Sequence, residues 1–234
     1  MTGVQTCALP IWFADEPIQR GALTWRNNSK AVRNTGKYIS RLGGTYEVYA
    51  LAGFETYGLL FKNEKIKNTT LLATQAYITG GILEAVLKTI SGRTRPSFYG
   101  ASAEAEPTFT GPFGKTSQDA SGTRTNSSFP SGHTTVAFAA ATVFAKEYAN
   151  TPIVPVLAYS AATLIGLSRI TENKHWATDI LAGATLGLLT GRQVVNNYHR
   201  FAKIKLQQQK KKTSLGFYLD HRFGKTMPGI VYKF

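Results

Sequence analysis

The stretch Phe129-Pro-Ser-Gly-His-Thr-Thr-Val-Ala-Phe-Ala-Ala-Ala-Thr-Val-Phe-Ala-Lys-Glu-Tyr148 decides how this chain is read. From about Thr134 it is an alanine-rich apolar run with little β-branched alternation, which predicts a helix rather than a strand. Ser131 suits the N-cap of that helix, and the free backbone N–H groups of a first turn point at an anion. Gly132 has no side chain and lets the backbone come close to a bound group. A helix therefore opens on a turn suited to an anion, with His133 beside it.

Two further groups of residues flank this turn. Upstream, Lys88-Thr-Ile-Ser-Gly-Arg-Thr-Arg95-Pro96 separates a lysine from an Arg-Pro pair by six residues. Downstream, Ser168-Arg169 is followed by His175 and then by Asp179. A phosphoryl group spreads its charge over three equatorial oxygens, so breaking its ester is mostly a matter of positioning and charge stabilisation. Arg95 and Arg169 can each fork to two of those oxygens, and Lys88 adds a point charge. His175 and Asp179 are four apart and share one face of a helix. A carboxylate bonded to one imidazole nitrogen would fix the tautomer and leave the other free as a nucleophile.

Taken singly, each group has an ordinary explanation. A His-x-x-x-Asp pair is more often a surface hydrogen bond or half of a metal site, and no third ligand lies nearby in sequence. Arg95 before proline could be a plain helix end. Their joint occurrence in order and spacing resembles the superfamily of type 2 phosphatidic acid phosphatases, which also holds bacterial acid phosphatases and vanadium haloperoxidases. The resemblance covers roughly residues 45–192. It implies that His175 attacks phosphorus to form a phosphohistidine, that Asp179 orients His175, and that His133 protonates the leaving oxygen and later activates water. It assigns Lys88, Arg95, Ser131, Gly132 and Arg169 to the phosphate pocket, with no metal and no cofactor. The expected activity is hydrolysis of phosphate monoesters or lipid phosphates. A vanadium-dependent haloperoxidase is the alternative within the superfamily. A non-catalytic basic module for anionic membranes or nucleic acid is the alternative from another class.

Apolar stretches at 46–60, 69–90, 134–148, 152–168 and 176–191 predict an all-α bundle of about five to six core helices. Antiparallel neighbours would gather Lys88, His133, Arg169 and His175–Asp179 at one end. Residues 14–41 read as one or two short amphipathic helices. The expected division is a segment 1–12, a helical domain 13–212 and a tail 213–234, the tail forming a small β hairpin. The first twelve residues, MTGVQTCALPIW, carry no basic start and no sustained apolar core, unlike an export signal. They resemble translated adapter sequence, and the natural N-terminus is expected to differ. The single cysteine, Cys7, can form no internal disulfide.

Between residues 97 and 129 lies a Ser/Thr/Gly/Pro-rich segment, read as a substrate-shaping loop with Glu104 and Glu106 solvated. His199 and His221 are read as surface residues. The formal net charge is +14 and the mean hydropathy is −0.14, low for an integral six-span protein. No acid interrupts Arg192, Arg200, Lys203, Lys205 and Lys210 to Lys212, a run suited to an anionic membrane surface. Lys62, Lys65, Lys67 and Lys146 fall at the helix ends away from the motifs, as expected for a bundle crossing a bilayer with its site outside. The resulting expectation is a bacterial envelope protein, either soluble in the periplasm or membrane-associated with its site facing the periplasm, acting on a phosphorylated small molecule or lipid, with no nucleic-acid partner.

Overall fold

The computed structural model describes residues 13–99, 107–114, 117–118, 122, 124–212, 214–222 and 224–233. Cys7, Glu104 and Glu106 lie outside them. Among the described residues the chain is helical apart from connecting loops and one hairpin. The helices are α1 (Asp15–Asn28), α2 (Lys30–Leu42), α3 (Thr45–Leu60), α4 (Glu64–Ser91), α5 (Gly132–Glu147), α6 (Ile153–Thr171) and α7 (Ala177–Lys212). The last five coincide with the five apolar stretches of the sequence, and α1 and α2 with the amphipathic segment before them.

Local chemistry sets several of these boundaries. Asn63 caps α4 by accepting from the Ile66 amide at 3.1 Å, and Ser29 caps α2 through the Val32 amide. At its other end α4 stops at Gly92, whose left-handed φ of 57° suits glycine. A Cβ there would stand 2.2 Å from the Gly111 carbonyl oxygen. This stop leaves Lys88 in the last turn of α4. Arg169 occupies the last turn of α6, and α5 begins immediately after Ser131.

Compactness divides the chain into residues 1–194 and 195–234. In the first unit α3 packs on α4, α4 on α5, α5 on α6, and both α1 and α2 lie against α6. Helix α5 is the most enclosed, with Val136, Ala137, Ala139, Ala140, Ala141 and Val143 all buried. The start of α7 meets α5 through small residues. A Cβ on Gly183 would lie 2.6 Å from the Ser131 carbonyl oxygen, on Gly187 2.3 Å from that of Thr135, and on Gly191 2.5 Å from that of Ala139. Glycine every fourth residue lets two helix backbones touch. That close approach seats the first turn of α7 beside the turn that opens α5.

The second unit contains the C-terminal part of α7 and the expected hairpin. Strand β1 (Ser214–Arg222) pairs antiparallel with β2 (Lys225–Lys233), in a register that sets Phe217 opposite Ile230 and Arg222 opposite Lys225. Gly224, with φ of 73°, turns the chain. His199 and His221 are exposed, as expected of surface residues.

The glycine contact gives a direct test. Gly187→Val should lower stability by about 3 kcal/mol or prevent folding, because backbone and not a flexible side chain blocks the new Cβ. Gly53→Ala, where nothing lies within 4 Å, should be neutral or stabilising. Thermal unfolding followed by circular dichroism compares the two.

Candidate active site

The ends of α4, α5, α6 and α7 converge, as antiparallel packing requires, and bring together all eight residues singled out in the sequence. His175 lies in the loop between α6 and α7 and is 1% exposed. Its Nδ1 stands 2.8 Å from the Ser128 carbonyl oxygen. A carbonyl only accepts, so Nδ1 carries the proton and donates, and Nε2 is left unprotonated as an acceptor. Nε2 lies 3.4 Å from Nη1 of Arg95.

Asp179 differs from the sequence expectation in one respect. Its Oδ2 is 3.5 Å from His175 Nδ1, longer than a hydrogen bond. The same oxygen accepts from Ser128 Oγ at 2.5 Å and from the Trp176 amide at 2.9 Å. Its other oxygen accepts from Arg93 at 2.5 Å. Asp179 therefore bears on His175 largely through Ser128 and through the first turn of α7. The Asp179 carbonyl also accepts from the Ser131 amide at 3.0 Å, tying that turn to the one that opens α5.

The cations are held in different ways. Arg95 is fixed by backbone carbonyls: Nε donates to Arg124, Nη1 to Lys174 at 3.1 Å and Nη2 to Ser127 at 3.0 Å. Arg169 donates to Ser40 Oγ of α2. Lys88 pairs with Glu84, one turn earlier on α4. Glu84 also explains Gly132, where a Cβ would stand 2.8 Å from its carboxylate. Ser131 is extended at the N-cap position of α5, but its side chain makes no capping bond. Instead Ser131 Oγ accepts from Thr134 Oγ1 at 2.9 Å.

His133 lies beneath the turn between α2 and α3, where a Cβ on Gly44 would be 3.2 Å from its Nε2. It lines an opening with Ser40, Tyr46 and Arg169. A separate polar recess of ≈ 390 Å³ is lined by Glu84, Lys88, Asn126 and Ser127.

Sequence reasoning missed Arg93, Ser128, Trp176 and Asp15. Arg93 was visible in principle as a second arginine inside the first motif, two residues before Arg95. The long segment after residue 97 is stitched to that motif: the Thr94 amide donates to Thr108, Arg95 to Thr125 and Ser128 to Arg93. Its end thus supplies part of the site.

A family model described as the PAP2 superfamily matches residues 69–203, and the chain belongs to that superfamily. Among curated proteins, a lipid A 1-phosphatase from Porphyromonas gingivalis is 49% identical over 80 residues. That match covers 34% of this chain, which spans only 17% of the relative's length. Among solved structures, a transmembrane PAP2 type phosphatidylglycerolphosphate phosphatase from Bacillus subtilis superposes with a TM-score of 0.60 at 26% identity, covering 80% of this chain and 86% of that one. LpxE from Aquifex aeolicus shares the fold with a TM-score of 0.58 at 22% identity, covering 78% and 95% of the two chains.

Burial, followed by the positive charges of Arg95, Arg169 and Lys88, holds the His175 imidazole well below its ordinary value of 6.5. A lowered value means that the neutral form persists into acid. The acidic limb of kcat/KM due to this imidazole should therefore fall well below pH 6.5, once the substrate's own ionisation is allowed for. A pH profile measured on a substrate with a strongly acidic phosphate tests this. A limb at the ordinary imidazole value would contradict the buried, cation-flanked environment.

Proposed function

We propose that this protein is a metal-independent phosphatase of lipid phosphates, acting through a phosphohistidine on His175. One observation carries the lipid part. An apolar groove of ≈ 410 Å³ lined by Tyr46, Phe54, Ala137, Phe144, Leu157 and Ile165 meets the opening at His133 and Arg169, with Tyr46 common to both. A phosphate held at the motifs would leave an acyl chain free to lie along that groove. The lipid phosphatases among the relatives support the same reading, and the haloperoxidase alternative finds no counterpart among them.

Substrate phosphate would sit among Lys88, Arg95, Arg169 and the backbone turn at Ser131 and Gly132. The unprotonated Nε2 of His175 attacks phosphorus while His133 gives a proton to the leaving oxygen. The bond to the alcohol breaks, and phosphate resides on Nε2. His133, now neutral, takes a proton from water, and the resulting hydroxide displaces the histidine to release inorganic phosphate. Fixed cations stabilise charge on the equatorial oxygens in both steps.

His175→Ala should abolish phosphate release from a long-chain phosphatidate while leaving the helical content intact. Wild-type protein quenched in denaturant during turnover should carry acid-labile phosphate on histidine. Chelator should leave activity in place, and orthovanadate should inhibit. Substantial turnover by His175→Ala would end this mechanism. Equal kcat/KM for phosphatidate and a soluble monoester would remove the groove from the reading.

Membrane insertion is supported by a second set of observations. Helices α4 and α6 are long and apolar enough to cross a bilayer, and most of their surface is not covered by the protein. Ile78, Ile82, Val86 and Ile90 on α4, and Val156, Leu164 and Leu167 on α6, are exposed. The lysines at the far ends support a motif end on the outer, periplasmic face. In intact cells a cysteine replacing Arg41 should react with a membrane-impermeant maleimide, and one replacing Lys62 should not. The reverse pattern would invert the orientation.

A further inference from the structure

Helix α7 starts without a usable capping side chain. Its N-cap position is Trp176, whose indole instead donates to the Thr94 carbonyl at 2.8 Å. Asp179 satisfies the Trp176 amide, the backward half of a capping box. The forward half comes from a different helix. Asp15, at the start of α1 and 163 residues away, accepts from the Thr178 amide at 2.9 Å and from Thr178 Oγ1 at 2.6 Å. The same carboxylate accepts from Arg93 Nη2 at 2.6 Å. Arg93 Nη1 in turn reaches Asp179 Oδ1 at 2.5 Å and Thr178 Oγ1 at 2.6 Å. Asp15, Arg93 and Asp179 all have side chains 0% exposed.

We propose that Asp15 is a positioning residue for His175, acting through Arg93 and the first turn of α7. The inference rests on the phosphatase reading above. One guanidinium between two carboxylates fixes both at once. Without Asp15, Arg93 could shift wholly to Asp179 and draw it from Ser128, whose carbonyl sets the His175 tautomer. A second tie on the same face of α1 supports docking of that helix on the segment around His175. Gln19, one turn after Asp15, donates to Asn173 at 2.9 Å. Asn173 holds a left-handed φ of 56° in the turn leading to His175. Arg95 reaches His175 Nε2 itself, but from the phosphate side, whereas the Asp15–Arg93–Asp179 chain bears on the Nδ1 side through Ser128, so the loss of Asp15 should act on the alignment of the nucleophile more than on ground-state binding of phosphate.

The test uses the full chain in detergent with the lipid phosphate that the wild type hydrolyses best. Asp15→Asn keeps an oxygen for the Thr178 amide but removes the charge opposite Arg93. It should lower kcat by about 10- to 100-fold, in the range found for groups that orient a reacting ligand without touching substrate, with KM unchanged. In an Asp179→Asn background the same substitution should cost little more, because both act on one alignment. Asp15→Glu, which retains the charge, should recover part of the loss. An unchanged kcat, a change in KM alone, or a full multiplicative loss on top of Asp179→Asn would overturn the proposal. If Asp15→Asn does not fold, Asp15→Glu decides: it should fold with lowered kcat and constant KM, and wild-type kcat would overturn the idea. A wild type that releases no phosphate from any ester would instead defeat the phosphatase reading on which this inference stands.

Discussion

Arg93 is a guanidinium without solvent exposure, held between the carboxylates of Asp15 and Asp179 and flanked by the rings of Phe109 and Trp176 at 5.1 and 5.6 Å. Burying such a charge costs several kcal/mol per ion, and removing one partner from a buried pair typically costs about 3–5 kcal/mol. The surrounding chain is accordingly constrained. Arg93 must leave α4 at the Gly92 stop, its carbonyl receives the Ser128 amide, and its side chain reaches helices from both ends of the sequence. The site is assembled around this charge. The cations that would meet a phosphate stand outside it, each with its own anchor.

The second constraint is steric. Helices α5 and α7 meet through Gly183, Gly187 and Gly191, and this close approach lets Asp179 on α7 offer its carbonyl to the Ser131 amide. Small residues in α5 serve the same close packing. A bundle built this way places helix ends, and not helix faces, at the reaction centre. Ends carry unsatisfied backbone groups, and an N-terminus carries partial positive charge. An anion bound there would be met by backbone N–H groups as well as by side chains.

The outer surface of the bundle obeys different rules from its centre. Exposed leucine, isoleucine and valine on α4 and α6 would be unusual in water and are ordinary against lipid. The low overall hydropathy comes from the basic and polar segments outside these helices. Averaged over the whole chain they mask the two apolar helices, which is why the mean hydropathy is low for an integral six-span protein.

Much was legible in the sequence because it depended on local order. Helix class follows from apolar periodicity, α4 ends where Gly92 permits a left-handed turn, and the spacing within each motif fixes which side chains share a helix end. The convergence of four helix ends followed from antiparallel topology. The partners of Asp179 were not legible. The i, i+4 spacing to His175 suggested a direct bond on one helix face, whereas His175 stands in the loop ahead of α7 and the folded chain gives that carboxylate to Ser128, Trp176 and Arg93. Asp15 carried no local signal at all. An aspartate at the start of an amphipathic helix looks like an ordinary complement to the helix dipole. Only the packing of α1 against the turn before α7, 163 residues away, makes it a buried counter-ion, because a desolvated guanidinium requires anions wherever in the chain they come from.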